Sequence, residues 1–222
     1  MSFSKSQILS QSHATGVIPV FYHKDLEVCR GVLKAAYDGG CRVFEFTNRG
    51  ENAFDTFSDL LHYATYQLPG LMLGIGSILD GDTALKFIHA GAHFIVSPIL
   101  DESMADVCRL EDKLWIPGCA TLTEIVKATR LGADLVKIFP GSTLGPKFVS
   151  SVLAPIPSLK LMPTGGVEPS VQNMKEWFSA GVYCVGIGGN LFKKEWLEKG
   201  DFASVQAAIA QCIADAREVR AL

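Results

Sequence analysis

Basic runs are scarce in this 222-residue chain: none is longer than Lys193-Lys194, and the net charge is −3. Without a concentrated positive surface, nucleic acid and anionic membranes are poor partners, and a small soluble substrate fits better. Long apolar runs are missing too, since no stretch reaches the roughly 18 uninterrupted apolar residues of a membrane helix. The segment from Met1 to Thr15 is polar and carries Lys5 and His13, so a signal peptide is not expected. The six cysteines, at 29, 41, 108, 119, 184 and 212, form no C-x-x-C pair and no metal-spaced cluster with histidine. Free thiols in the cytoplasm, and no metal, are the expectation. The glycine fingerprint G-x-G-x-x-G after a first strand is also missing, which counts against an open dinucleotide-binding sheet.

What the chain does have is apolar content, 48% hydrophobic against 19% charged residues. That is enough for one large core, and a single domain over residues 1–222, with a helix at each end, is expected. A join recurs at Asp38-Gly39-Gly40-Cys41, Ala90-Gly91-Ala92-His93, Leu131-Gly132-Ala133-Asp134 and Ala180-Gly181-Val182-Tyr183. Glycine suits the left-handed residue that ends a helix before the chain turns into a strand. The spacing, 41 to 51 residues, is about two strand-plus-helix units. Short apolar runs at 17–22, 41–47, 71–76, 93–97, 113–117, 134–139, 159–163 and 183–187 read as eight strands. Amphipathic stretches separate them; in 27–38, Val28, Val32, Leu33, Ala36 and Tyr37 share a helical face. Strands alternating with helices imply a parallel sheet, and eight units imply a (β/α)8 TIM barrel.

In such a barrel chemistry sits at the carboxyl ends of the strands. There Lys137 lies inside Leu135-Val136-Lys137-Ile138-Phe139-Pro140, a run that reads as a buried strand. A buried, unpaired ammonium is costly and tends to neutralise, and a neutral amine is a nucleophile toward ketones. Period two puts Val43, Glu45 and Thr47, with Arg49 beyond them, on one face of the second strand, and Phe44 and Phe46 on the other. Glu45 and Lys137 would then share the interior, either as a proton shuttle beside a Schiff base or as a structural ion pair. Arg49 offers a fork for a substrate carboxylate. Thr164-Gly165-Gly166 and Gly188-Gly189-Asn190 place glycine pairs after strands seven and eight, where backbone N–H groups can hold a phosphate. The five histidines are scattered and join no catalytic constellation. Cys119 and the three tryptophans read as packing, Lys113 and Lys160 as solvated, and Asp80 and Asp82 as the cap and first turn of a helix.

Taken together, Glu45-Phe46-Thr47-Asn48-Arg49, Gly74-Ile75-Gly76-Ser77, Ser97-Pro98, Ile116-Pro117-Gly118, Val136-Lys137-Ile138-Phe139-Pro140, Pro163-Thr164-Gly165-Gly166 and Gly188-Gly189 resemble the 2-dehydro-3-deoxy-phosphogluconate aldolase / 4-hydroxy-2-oxoglutarate aldolase family. These are pyruvate-dependent class I aldolases, and the likeness runs from about Gly16 to Phe192. The resemblance implies Lys137 as Schiff-base lysine and Glu45 as acid/base. It implies Arg49 and Ser77 as binders of the pyruvate carboxylate, and Pro98 and Phe139 as walls of the pyruvyl pocket. Thr164, Gly165, Gly166, Gly188 and Gly189 would hold a distal phosphate, with Asn190 where the family often has serine. It further implies a homotrimer and no cofactor. The alternatives weighed are a relative acting on 4-hydroxy-2-oxoglutarate or 2-dehydro-3-deoxy-6-phosphogalactonate, a phosphate-binding isomerase barrel, and a non-catalytic sensor.

Overall fold

A computed structural model describes residues 3–221. Its strands are β1 (Val17–Phe21), β2 (Val43–Thr47), β3 (Met72–Gly76), β4 (Phe94–Val96), β5 (Leu114–Ile116), β6 (Gly118–Cys119), β7 (Val136–Ile138), β8 (Leu161–Pro163) and β9 (Val185–Ile187). All the pairings are parallel, in one sheet ordered β5-β4-β3-β2-β1-β9 and another ordered β6-β7-β8. The helices are α1 (Lys5–Thr15), α2 (Leu26–Asp38), α3 (Ala53–Gln67), α4 (Gly81–His89), α5 (Glu102–Leu110), α6 (Leu122–Arg130), α7 (Gly141–Leu153), α8 (Val171–Ser179), the short α9 (Lys194–Lys199) and α10 (Phe202–Ala221). Among the described residues no helix is long and apolar enough to cross a membrane.

Each of the eight expected runs holds a strand, and just beyond the fifth, expected over 113–117, lies a further short strand, β6. Proline has no N–H to give to a ladder, so Pro117 separates β5 from β6. Residues before it pair with β4, while the Pro117 carbonyl accepts from the Lys137 N–H at 2.8 Å and Gly118 registers with Lys137. The chain therefore passes from one sheet to the other at this residue. Across the other gap, Thr164 bridges to Gly186 and the Tyr183 N–H donates to the Leu161 carbonyl at 2.9 Å.

The recurring glycines behave as their position requires. Gly40, Gly91, Gly132 and Gly181 have φ of 95°, 107°, 99° and 97°, the left-handed region closed to most side chains. They follow α2, α4, α6 and α8, every second strand-plus-helix unit.

Strand alternation separates two apolar layers. Phe44, Phe46, Leu73, Ile75, Val136 and Ile138 pack outward with helix residues such as Val32, Leu33, Phe57 and Phe87. Ile18, Val43, Met72, Phe94, Leu114, Leu135, Met162 and Cys184 face inward, joined by Ile8 and Leu9 of α1. Helix α1, started by a reciprocal Ser4/Gln7 cap, thus closes the amino end of the strands. Burying Ile8 there is worth about 2 kcal/mol on transfer grounds. The inner face is consequently packed at one end and opens at the other.

Candidate active site

At the carboxyl ends of the strands lies a cavity of about 530 Å³. Lys137 enters its floor from the middle of β7, flanked by the outward-facing Val136 and Ile138, and is only 6% exposed. Glu45, on the inner face of β2, is fully buried. Its Oε1 lies 3.9 Å from Lys137 Nζ, which in turn sits 5.1 Å from the centre of the Phe139 ring.

A 3.9 Å separation attracts but does not make a hydrogen bond, for which about 2.7–3.2 Å is needed. Neither Glu45 oxygen has a hydrogen-bond partner in the chain. Burial pushes the Glu45 carboxyl above its ordinary range, against the opposing pull of Lys137 and Arg49. The ion-pair distance alone suggests a carboxylate, but removal from water dominates, and the carboxyl tends to hold its proton. A carboxyl raised in this way is suited to give as well as take a proton.

Space for that carboxyl comes from β3. Gly76 stands beside Thr47 in the β2/β3 register, and a Cβ on it would overlap Glu45 Oε1. The next residue, Ser77, has φ 61°, an uncommon conformation for a non-glycine residue, at the cavity rim. On the adjoining segment the Trp115 indole N–H donates to Ser97 Oγ at 3.3 Å, and Ser97 Oγ donates to the Ile99 carbonyl at 2.7 Å. These bonds hold the turn that carries Pro98, so Trp115 does more than pack. Arg49 lies exposed beyond the end of β2. Opposite, Gly165 and Gly166 take left-handed φ of 84° and 74°, and Gly189 opens a 3-10 turn over Gly189–Leu191. Thr164 sits deeper than the glycines after it, its hydroxyl against Gly186, where any Cβ would collide with it.

All twelve residues singled out from the sequence line this one cavity: Glu45, Arg49, Ser77, Pro98, Lys137, Phe139, Thr164, Gly165, Gly166, Gly188, Gly189 and Asn190. A family model described as "KDPG and KHG aldolase" matches residues 8–208. The chain belongs to the KDPG and KHG aldolase family. It is 30% identical over 202 residues to the 2-dehydro-3-deoxy-phosphogluconate aldolase of Pseudoalteromonas atlantica, covering 90% of this chain and 91% of that one. Against the KHG/KDPG aldolase of Escherichia coli K12 the identity is 29%, over 90% and 92% of the two chains. Among solved structures, a KDPG aldolase from Legionella pneumophila, with pyruvate captured as a covalent carbinolamine, superposes with a TM-score of 0.83 at 25% identity, covering 93% of this chain and 98% of that one.

Other residues of this aldolase-family chain meet the same cavity without having been singled out. Thr47 lines it, as do Phe21 and Tyr22 from the end of β1 and Phe192 and Leu197 from the segment after β9. Alternation along β2 had put Thr47 on the polar face, and the carboxyl-end rule applied to the first strand points to Tyr22. Phe192 and Leu197 carry no comparable signal, because they lie well beyond the end of the last strand, Ile187. The expectations for Asp80 and Asp82 hold: the Asp80 side chain accepts from the Thr83 N–H at 2.7 Å, capping α4. His93 is buried, and its Nδ1 accepts from the Leu73 N–H at 2.9 Å, far along the strands from Lys137. Lys160 is half-buried, with Nζ over the Tyr183 ring at 5.7 Å, so it is less solvated than expected. Among the described residues no group of three His, Cys, Asp or Glu is placed to hold a metal ion.

Proposed function

We propose that the chain is a class I aldolase that reversibly cleaves 2-dehydro-3-deoxy-6-phosphogluconate to pyruvate and glyceraldehyde 3-phosphate through a Schiff base on Lys137. The observation that carries this reading is the pair at the cavity floor, a buried primary amine 3.9 Å from a buried carboxyl with no hydrogen bond between them. The unprotonated amine attacks the C2 ketone to give a carbinolamine; the Glu45 carboxyl gives its proton to the departing C2 hydroxyl, and loss of water leaves an iminium beside the Glu45 carboxylate. When the C3–C4 bond breaks, its electron pair moves into the iminium and forms an enamine. Glu45 takes the C4 hydroxyl proton, and the aldehyde leaves. The same proton returns to C3, restoring the iminium, and water then releases pyruvate and the free lysine. Each half-reaction leaves Glu45 in the state that the other needs.

In this reading Arg49 and Ser77 bind the C1 carboxylate, Pro98 and Phe139 enclose the pyruvyl group, and the backbone at Gly165, Gly166, Gly188 and Gly189, with Thr164 and Asn190, holds the phosphate. Two consecutive left-handed glycines at the cavity wall support the last assignment, since a turn of this kind can present backbone N–H groups to an anion. We also read the two sheets as arcs of one (β/α)8 barrel within a single domain. Support comes from the continuity of chain at Pro117 and from the Thr164–Gly186 bridge. A homotrimer in the cytoplasm completes the proposal. Exposed Leu79 and Ile99, from the segments after β3 and β4, and Leu122, at the start of α6, are side chains such a contact would cover, and the free cysteines suit a reducing compartment.

Borohydride reduction with pyruvate, followed by peptide mapping, tests the chemistry: a pyruvyl adduct confined to Lys137 supports it, and unmodified Lys137 overturns it. An isomerase or a sensor predicts no adduct. Turnover of a panel of phosphorylated and unphosphorylated 2-keto-4-hydroxy acids tests the substrate. Light scattering at three chain masses supports the trimer.

A further inference from the structure

Unpartnered buried polar atoms are not spread evenly through the molecule. Of the six such side-chain atoms among the described residues, four belong to residues that line the one cavity: both oxygens of Glu45, Thr47 Oγ1 and Thr164 Oγ1. A buried hydroxyl without a partner is destabilising, and it persists where a ligand supplies the partner. Thr47 is the member of this group that the mechanism does not use. It is 2% exposed, its cross-strand neighbour is Gly76, and it stands on the inner face of β2 between Glu45 and Arg49.

That position has a chemical meaning. Along a strand, residues two apart are separated by about 6.6 Å. Thr47 thus lies one such step from Glu45 toward the rim, on the line from the floor to Arg49. If C2 of a 2-keto acid is bonded to Lys137 and its carboxylate reaches for Arg49, then C1, attached directly to C2, passes this hydroxyl. The carbon chain from C3 outward runs the other way, to the glycine turns after β8 and β9. We propose that Thr47 is a specificity-determining residue whose hydroxyl donates a hydrogen bond to the C1 carboxylate of the substrate, alongside Arg49. The inference rests on the Schiff-base reading above. It deepens that reading by giving the carboxylate a buried, uncharged donor within the barrel wall.

The test compares Thr47→Val, which keeps the branched shape and removes the hydroxyl, with Thr47→Ser, which keeps the hydroxyl. For cleavage, and for C3 hydrogen–deuterium exchange of pyruvate, Thr47→Val should raise KM about 10- to 100-fold, the loss of one hydrogen bond to a charged group. Its kcat should stay within about threefold, the signature of an interaction made equally in ground and transition states. Thr47→Ser should bring KM back to within about threefold of wild type. Because the hydroxyl has no partner in the chain, the Tm of Thr47→Val should not fall. If that variant fails to fold, Thr47→Ala against Thr47→Ser makes the same comparison. An unchanged KM overturns the proposal, and so does a fall in kcat at constant KM, which would move the hydroxyl to proton transfer. Wild-type protein that traps no pyruvate under borohydride would sink the aldolase reading and the Thr47 proposal with it, whereas trapping with an unaltered KM in Thr47→Val sinks the Thr47 proposal alone.

Discussion

Gly76→Ala is a perturbation whose consequence can be worked from contacts. Gly76 ends β3, and its backbone there is extended, so alanine brings no penalty of conformation. The penalty is one of space. A methyl at this position would overlap Glu45 Oε1 and stand 2.7 Å from Glu45 Cδ, where ordinary contact begins at 3.4 Å. Two outcomes compete: the strands separate, or the carboxyl turns away. Separating β2 from β3 would break a register of five residue pairs, from Val43↔Met72 to Thr47↔Gly76. Turning Glu45 is easier, because its oxygens are tied by no hydrogen bond and face a cavity of about 530 Å³. Stability should therefore drop by only about 1 kcal/mol, the low end of overpacking. The carboxyl, however, must shift on the order of 1 Å away from the reacting atoms, and misplacement of that size lowers rate about 100-fold. That fold-change corresponds to about 2.7 kcal/mol on the barrier. The assay is kcat/KM by coupled reduction of released pyruvate, beside a urea melt and borohydride trapping. Trapping should survive, since Lys137 is untouched. A variant with kcat/KM within threefold of wild type, or one that loses activity only because it unfolds, would refute the reasoning.

Three further outcomes are expected. Lys137→Ala should abolish both turnover and borohydride trapping by pyruvate; residual trapping elsewhere in the peptide map would contradict the assignment. Glu45→Gln should still trap pyruvate but exchange C3 hydrogen at least 100-fold more slowly, the scale of general acid–base catalysis. The same variant carries a stability signature: burial holds the Glu45 carboxyl above its ordinary value of 4.5, so the folded state keeps a proton that the unfolded chain releases. Wild-type stability contributed by this group is complete below that value and is lost as pH rises through the folded-state pKa, and the urea-midpoint advantage of Glu45→Gln should widen over that window. A constant difference from about pH 4 to 8 would count against it. Finally, burial pushes Cys29, Cys41, Cys108, Cys119, Cys184 and Cys212 up to about 12. A thiol reagent at mildly alkaline pH should react slowly with native protein and with six equivalents after unfolding; rapid labelling of the native chain would show that these thiolates form more easily.

Much of the architecture was legible because two periods do not mix. Alternation in Val43 to Thr47 separates an aromatic face from a polar one, and the molecule keeps that separation as two distinct apolar clusters. The glycine joins were legible for a different reason, since a φ near 100° leaves few residues to choose from. The cavity was legible through one rule about strand ends, which is why twelve residues scattered over 146 positions of sequence from Glu45 to Asn190 meet in one place. Pro117 closes the fifth expected run, and the short strand Gly118–Cys119 just beyond it was not expected. Hydropathy gives little signal for a strand of two residues, and the missing N–H of Pro117 shows only that the residues on its two sides serve different neighbours.

Harder to read is a site made by side chains that are not there. Gly74 and Gly76 look like weaknesses in β3, because glycine lowers strand stability and packs nothing. Across the sheet they face Glu45 and Thr47 in register; the Glu45 carboxyl takes the room that Gly76 gives up, and the Phe94 ring of β4 takes the room left by Gly74. Gly186 does the same for the Thr164 hydroxyl. No periodicity within one strand reveals this, because the reason for each glycine lies in a residue on the neighbouring strand. Once the contacts are known, the inference reverses: a strand glycine whose added Cβ would strike a carboxyl or hydroxyl on the next strand marks where a buried polar group has been given space. By that rule Gly76 points to Glu45 as firmly as the lysine does, and Thr47, its direct partner, becomes the next residue to ask about.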